Sequence, residues 1–291
     1  MKKLLVMGAS GFLGWNICQA AKREWEVAGT VFSHAVEIKG VNILRVDLTD
    51  YFELKNLFKK VLPDAVIHTA AKSRPDFCQT HPSETKKVNV DASMNIAKLC
   101  ADYAIPCVFT STDLVFNGLN APYREEAPVC PVNRYGEQKV LAEEGMLKHH
   151  SVVTICRMSL MFGVSGPTAE SFIHPMIESM KKGLEVQLFV DEYRTPLQVK
   201  SAVSGIFLAL EKARGILHLG GAERVSRYHF GKLLRDELGI CRARLYPCHQ
   251  KDSVTAAPRP PDVSLDSAKA FAIGFKPLPL AEELKTLRGI I

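Results

Sequence analysis

The sequence predicts an α/β protein: a doubly wound parallel sheet of Rossmann type with a smaller C-terminal lobe for substrate. Two observations favour this fold class. Short apolar runs alternate with longer helical segments through residues 1–157, which is the order of repeated strand–helix–strand units. The runs are apolar along their whole length, as expected for strands that helices cover on both faces.

Each element of this half follows from its local pattern. The predicted strands are the β-branched or apolar runs at 3–7, 25–31, 41–46, 64–70, 106–111 and 151–157. The predicted helices occupy the segments between them, at 11–23, 50–60, 82–103 and 133–149. Asp50 and Glu53 have the spacing of a capping box, so the second helix is expected to begin there.

The pattern loosens after Arg157. Helices are predicted at 169–182 and 198–212, and a strand at 215–219. We therefore predict a dinucleotide-binding domain of residues 1–157, to which residues 197–221 return. The remaining segments, 158–196 and 222–291, are predicted to form the substrate lobe over the carboxyl ends of the strands.

Composition and charge argue against several classes of function. The net charge is +6, and no basic run is interleaved with aromatic residues, so no nucleic-acid partner is predicted. The excess charge suits the phosphates of a cofactor and a substrate. No apolar run has the length of a membrane span or a signal peptide, so we expect a cytoplasmic protein without a membrane partner. The eight cysteines include no Cys-x-x-Cys pair, so they are expected to be reduced and buried, and no metal site is predicted.

A glycine-rich segment directly follows the first predicted strand and opens a helix. Gly8 permits a tight turn, Gly11 lets the backbone approach a pyrophosphate, and Gly14 lets helix and strand pack closely. The N–H groups at the helix N-terminus can bind the anion. The alternative is a glycine-rich turn without a ligand. The predicted cofactor-binding residues of this segment are Gly8, Ser10, Gly11, Phe12, Leu13 and Gly14.

The residues after the second predicted strand favour NADP(H) over NAD(H). A carboxylate at this strand end would bind the ribose 2′-hydroxyl of NAD(H), but none occurs until Glu37. Ser33 and His34, with Lys39, can instead accommodate a 2′-phosphate. If these are ordinary loop residues, NADH is the alternative cofactor.

Two further strand ends supply candidate cofactor-side residues. Asp47, beside Leu48, either bonds the adenine amino group or organises a turn with Thr49. Small residues follow the fourth predicted strand and can admit the ribose and phosphate of the cofactor. The candidates at this second strand end are Ala70, Ala71 and Lys72.

Tyr135 and Lys139 lie four positions apart on a predicted helix and therefore share a face. The ammonium is expected to lower the pKa of the phenol. Tyr135 would then donate a proton to a carbonyl oxygen as hydride arrives at carbon. The same spacing occurs at Tyr51 and Tyr228, but only Tyr135 follows a strand that ends in hydroxyl side chains. Of these, Thr112 would bond the substrate oxygen, or else act as a cap or turn residue.

Several segments resemble the extended short-chain dehydrogenase/reductase family, and within it the dTDP-4-dehydrorhamnose reductase branch. They lie at 8–14, 88–90, 111–118, 131–139, 157–163, 194–196 and 259–266. The resemblance implies a triad of Thr112, Tyr135 and Lys139, with Lys139 also binding the nicotinamide ribose. It also implies hydride transfer to C4 of a dTDP-4-keto-6-deoxy sugar.

The resemblance implies further roles outside the triad. Asn89 would be a cofactor-side residue or a structural one. Arg194 and Arg259 would bind the nucleotide diphosphate as bidentate donors; the alternative is that they are solvated surface arginines. The helices at 82–103 and 133–149 are expected to pair across a twofold axis in a homodimer.

Two departures from the branch leave the exact function open. Leu114 stands where an aromatic residue is common, and Lys72 and Cys78 belong to a stretch that is usually more acidic. Leu114 also replaces the second acid that the related 4,6-dehydratases carry, so dehydration is not expected. One alternative is an NADP-binding regulatory protein that resembles the beta subunit of methionine adenosyltransferase. The other is a reductase of a different keto compound.

Overall fold

A seven-stranded parallel sheet lies at the centre of the computed structural model, which describes residues 1–291. The strands of the protein are β1 (Lys3–Met7), β2 (Glu26–Val31), β3 (Asn42–Arg45), β4 (Ala65–His68), β5 (Cys107–Thr112), β6 (Val153–Met158), β7 (Met161–Phe162), β8 (Glu185–Phe189), β9 (Tyr193–Arg194), β10 (Leu197–Gln198), β11 (Gly215–Leu219), β12 (Val225–Ser226) and β13 (Arg244–Cys248). The main sheet has the order β11-β6-β5-β4-β1-β2-β3. Its order reverses between β1 and β4, so their carboxyl ends flank the crevice in which such sheets bind ligands.

Helices cover both faces of this sheet. The helices of the protein are α1 (Phe12–Ala21), α2 (Tyr51–Val61), α3 (Pro75–Thr80), α4 (Pro82–Lys86), α5 (Ala92–Asp102), α6 (Arg134–His149), α7 (Ile173–Lys181), α8 (Val199–Lys212), α9 (Arg227–Leu238), α10 (Ala268–Ala272) and α11 (Leu280–Lys285). Of these, α7, α9 and α11 pack in the core of the smaller lobe instead. Alternate strand residues point to opposite faces. Leu4 and Val6 therefore pack with α1 and α8, whereas Leu5 and Met7 pack with α2, α5 and α6. The predicted fold class is confirmed.

The long helix predicted at 82–103 is confirmed as one helical segment, but it is not α-helical throughout. The structure has α4, then a π-helical turn over Lys87–Asp91, and then α5. The wider turn carries Asn89 into the interior, where its amide bonds the backbone of Lys72 and the side chain of Gln138. Apolar periodicity could not reveal this turn, because the residue that it buries is polar.

Two smaller predictions need correction. Asp50 caps α2 by accepting from the N–H groups of Phe52 and Glu53, but Glu53 does not complete the capping box. Its carboxylate accepts from the Asp47 N–H instead, at 2.8 Å, and so joins the helix to the end of β3. All eight cysteines are free thiols, but Cys130 and Cys241 are exposed rather than buried.

The smaller lobe is built from short strand pairs and helices around its own apolar core. Its strand pairs are β7 with β10, β9 with β12, and β8 with β13, and its core includes Phe162, Ile173 and Phe230. Its first loop reaches back to the main sheet, where Thr168 Oγ1 donates to the Ser10 carbonyl at 2.9 Å. A membrane-spanning segment would need a long apolar helix, and the protein has none.

Candidate active site

The glycine turn after β1 is shaped by close backbone contacts. Gly8 has a φ of +93°, and a Cβ on it would lie 2.9 Å from the backbone of Ala70. A Cβ on Gly14 would lie only 2.1 Å from the Gly8 carbonyl oxygen. Gly11 leaves the N-terminus of α1 without a side-chain cap, so its first backbone N–H groups have no side-chain partner. This geometry suits a pyrophosphate.

Thr30 supports the turn, and the sequence reasoning missed it. Its hydroxyl accepts from the Gly8 N–H at 3.1 Å, and its carbonyl accepts from the Ala9 N–H at 2.8 Å. Thr69 supports the turn from β4, donating to the Met7 carbonyl at 2.8 Å. Thr30 is the only hydroxyl residue of β2, and that was the available signal.

The residues predicted to select the cofactor lie on the surface after β2. Ser33 and His34 are exposed. Arg45, which the sequence reasoning missed, pairs with Val31 across the two strands and is also exposed. Its guanidinium carbon lies 6.0 Å from the centre of the Phe32 ring. A guanidinium therefore stands at the strand ends beside both predicted residues.

Asp47 and Asn89 have structural partners already. Asp47 Oδ1 accepts from both the N–H and the hydroxyl of Thr49, at 2.8 and 2.7 Å, so it organises a turn. Asn89 is 1% exposed and bonds Lys72 through both its N–H and its carbonyl group. Its amide also donates to Gln138 Oε1 at 2.8 Å, which ties the loop after β4 to α6. In this structure both residues hold loops of the site in place.

The catalytic candidates converge where β5 ends against the start of α6. Asn133 caps this helix by accepting from the Gly136 N–H at 3.0 Å. A Cβ on Gly136 would lie 2.2 Å from the Leu114 carbonyl oxygen, so a glycine is needed for this close packing. The packing places Tyr135, at the start of α6, against the end of β5 that carries Thr112.

The expected effect of Lys139 on the phenol is wrong. Burial raises the pKa of Tyr135 well above its usual range, and the charges of Cys78 and Asp113 raise it further. Lys139 Nζ donates to the Thr110 carbonyl at 2.7 Å instead. The Lys139 side chain is itself buried, and burial lowers its pKa to about 7. The phenol therefore keeps its proton at neutral pH.

Asp113 is a further residue of the site that the sequence reasoning missed as a functional candidate. It follows Thr112 directly and is 4% exposed. Burial raises the pKa of its carboxyl to about 6, while the Arg194 guanidinium lowers it. Thr112 Oγ1 and Ser159 Oγ both donate to this carboxylate, each at 3.3 Å.

The two predicted substrate arginines differ in their surroundings. Arg194 is buried, and it pairs with Asp113 at 3.6 Å and with Glu192 at 3.4 Å. Arg259 has a half-exposed side chain and lies 3.7 Å from Asp76. Neither is a freely solvated arginine, but only Arg259 presents an accessible guanidinium.

The fold and the helix that carries Tyr135 and Lys139 define an extended short-chain dehydrogenase/reductase. The chain belongs to the family described as the RmlD substrate binding domain, which matches residues 1–288, in the dTDP-4-dehydrorhamnose reductase-like branch. The resemblance that the sequence motifs carry is therefore confirmed.

Known relatives carry different names. Methionine adenosyltransferase 2 subunit beta of Xenopus laevis is 28% identical over 283 residues, which cover 94% of this chain and 83% of that protein. The crystal structure of a hypothetical dTDP-4-dehydrorhamnose reductase from Sulfolobus tokodaii has a TM-score of 0.85 at 30% identity, covering 96% of this chain and 98% of the other. The dTDP-4-dehydrorhamnose reductase of Bacillus anthracis str. Ames, in complex with NADP, shares the fold with a TM-score of 0.85, 22% identity and 98% coverage of both chains.

Proposed function

We propose that this protein is an NADPH-dependent reductase that converts the C4 keto group of a nucleotide-linked sugar to an alcohol. The observation that carries the proposal is that α6 buries Tyr135 and Lys139 against the carboxyl end of β5, where Lys139 Nζ donates to the Thr110 carbonyl at 2.7 Å and Thr112 ends the strand. Ligands of doubly wound sheets bind at this edge, beside the glycine turn after β1.

The chemistry divides between a bound cofactor and the residues of this chain. The glycine turn would hold the pyrophosphate of a nicotinamide dinucleotide, which would supply a hydride to the carbonyl carbon. Tyr135 gives its phenolic proton to the carbonyl oxygen, and its raised pKa keeps that proton in place until then. The Thr112 hydroxyl donates to the Asp113 carboxylate at 3.3 Å, so its bond to the substrate oxygen stays a prediction. Lys139 lies within the same helix and binds the ribose hydroxyls of the cofactor.

The preference for NADPH rests on charge. Arg45 stands at the strand ends beside Ser33 and His34, and its exposed guanidinium suits a 2′-phosphate. Asp47, which follows the neighbouring strand β3, already accepts two hydrogen bonds from Thr49. Tighter binding of NADH than of NADPH in a fluorescence titration would overturn this preference.

The substrate side of the proposal rests on the smaller lobe. Arg259 is the predicted arginine with an accessible guanidinium, so we assign to it the diphosphate of a nucleotide sugar. Relatives of this branch whose names include dTDP-4-dehydrorhamnose reductase support this class of substrate. The assignment of Arg194 to the same diphosphate stays a prediction.

The experiment follows NADPH absorbance with dTDP-4-keto-6-deoxyglucose as the substrate. We expect turnover by the wild type and a loss of at least about 100-fold in Tyr135→Phe, because the proton donor is removed. Tyr51→Phe is the matched control, since Tyr51 also precedes a lysine by four residues but begins α2. Equal rates in wild type and Tyr135→Phe would overturn the role of Tyr135.

A second candidate function is regulatory. The 28% identity to methionine adenosyltransferase 2 subunit beta, over 94% of this chain, favours it. In this case the protein binds NADPH, turns over no keto sugar and associates with a catalytic methionine adenosyltransferase subunit. Turnover of a 4-keto sugar at a rate that Tyr135→Phe abolishes would decide for the reductase.

A further inference from the structure

Arg194 is fixed on all sides by the protein itself. It lies on β9, which pairs with β12, and its side chain is 7% exposed. Its Nη1 donates to the Tyr193 carbonyl at 2.8 Å, its Nη2 lies 3.4 Å from Glu192 Oε1, and its Nε lies 3.6 Å from Asp113 Oδ2. Each guanidinium nitrogen thus faces a protein oxygen, and two of these oxygens belong to carboxylates.

A diphosphate would have to compete with both of these carboxylates. Glu192 and Asp113 are both buried, so they flank Arg194 with negative charge where solvent screens it least. Arg227 Nε lies 3.9 Å from the same Glu192 oxygen, Oε1, that faces Arg194. The result is a row of alternating charges, Asp113–Arg194–Glu192–Arg227, that runs from the catalytic strand end into the smaller lobe.

We propose, building on the reductase function, that Arg194 is a positioning residue that keeps Asp113 ionised and the Thr112 hydroxyl pointed at it, rather than a ligand of the substrate diphosphate. The groups that face the Asp113 carboxyl are Thr112 and Ser159 as hydrogen-bond donors, Arg194 as its cation, Glu192 as a second anion and the Tyr135 phenol. Arg194 is the one cation among them.

Arg194 affects Tyr135 indirectly, through the charge of Asp113. An ionised Asp113 only accepts hydrogen bonds, so the Thr112 hydroxyl donates to it while accepting from the Leu114 N–H at 3.2 Å. A neutral Asp113 carries a proton of its own and no longer requires Thr112 as a donor. The Asp113 charge also opposes ionisation of Tyr135, whereas the nearby Thr112 hydroxyl favours it. Arg194 therefore influences the proton donor through one carboxyl group.

The first test separates binding from catalysis with a matched pair of variants, Arg194→Met and Arg259→Met. dTDP binding is measured by calorimetry, and kcat and KM are measured with dTDP-4-keto-6-deoxyglucose from pH 5 to pH 9. We expect Arg194→Met to leave the dTDP Kd within about twofold, lower kcat about 10-fold and move the acid limb of the pH profile upward by about one pH unit. We expect Arg259→Met to weaken dTDP about 10-fold with little change in kcat.

Arg194→Lys keeps the charge and should restore part of kcat and most of the pH profile. Weakening of dTDP by Arg194→Met to the same extent as by Arg259→Met, with an unchanged pH profile, would overturn the positioning role.

The second test does not need turnover, so it is independent of the proposed function. Without Arg194, Asp113 should stay protonated to higher pH, and the loss of Tm in Arg194→Met should be larger at pH 8 than at pH 5. This pH dependence should vanish when Arg194→Met is made in an Asp113→Asn background. The same pH dependence in both backgrounds would overturn the inference. A wild type that reduces no keto sugar would overturn the proposed reductase function alone.

Discussion

Two regions of buried charge share the helix α6. They differ in how fully neighbouring groups offset the cost of burying those charges. In the first, which we name the buried pair, Glu143 of α6 and Arg157 of β6 are each 3% exposed and meet at 2.8 Å, with a second contact at 3.1 Å. In the second, the catalytic edge, Lys139 has one backbone carbonyl as its hydrogen-bond partner, and Asp113 has two long hydrogen bonds and a long ion pair with Arg194 at 3.6 Å.

One fold therefore contains buried charges that stay ionised near neutral pH and buried groups whose pKa values lie close to neutrality. Charge-assisted bonds with short distances compensate the desolvation of the buried pair, so it acts as scaffold beneath β5 and β6. At the catalytic edge burial moves two pKa values toward neutrality, that of Lys139 down to about 7 and that of Asp113 up to about 6. Two neighbouring groups with pKa values shifted toward neutrality are typical of a functional site.

The largest expected effect comes from breaking the buried pair. Arg157→Met should lower the free energy of unfolding by about 3–5 kcal/mol, because it leaves the Glu143 carboxylate buried without its cation. Urea unfolding at pH 7 measures this loss. Replacing both partners, as Arg157→Met with Glu143→Leu, should recover most of it. Glu137→Gln is the control, since its pair with Arg134 is exposed and should contribute less than about 1 kcal/mol. A small loss in Arg157→Met would remove the distinction between the two regions.

Removal of the Lys139 charge should relieve a cost of burial rather than create one, so its effect on the free energy of unfolding should be opposite to that of Arg157→Met. Between its folded pKa of about 7 and its ordinary pKa of 10.5, the unfolded chain holds a proton that the folded protein has released, so wild-type stability rises with pH in this window. Below pH 7 the full cost of burying the ammonium is present. The stability of Lys139→Met relative to wild type should therefore fall by about 2 kcal/mol between pH 7 and pH 9.

Lys139→Met is measured by urea unfolding at several pH values in this range. Lys148→Met, at the exposed end of the same helix, is the control and should show no such trend. If the stability of Lys139→Met relative to wild type did not change with pH, the Lys139 ammonium of the wild type would be fully compensated in the folded protein.

Most of the fold could be predicted because its signals are local. The apolar runs mark the strands of the main sheet, and the predicted strand at 215–219 coincides with β11. The glycine turn and the helix that begins after Asn133 are also visible in short stretches of sequence. The π-helical turn at Asn89 was missed because its cause is a contact with Gln138, 49 positions further along the chain.

Only those features of the catalytic edge that have local signals could be predicted. The four-residue spacing predicted that Tyr135 and Lys139 share one helix face, and the hydroxyl residues at the end of a predicted strand indicated Thr112. Spacing could not reveal that the Lys139 ammonium bonds the Thr110 carbonyl, or that burial outweighs the expected lowering of the phenol pKa. Asp113 and Arg194 are 81 positions apart, so only the fold of the smaller lobe brings these charges together.

The smallest expected effect, and the sharpest test of the comparison, comes from Asp113→Asn. Between the ordinary pKa of 3.8 and the folded value of about 6, the folded protein keeps a proton that the unfolded chain has lost, so wild-type stability falls as pH rises. The stability of Asp113→Asn relative to wild type should rise by about 1 kcal/mol between pH 5 and pH 7. This slope is opposite to that of Lys139→Met, and urea unfolding of both variants on one pH scale measures the two together. Parallel slopes would show that a global change with pH, rather than these two buried groups, governs the stability of the catalytic edge.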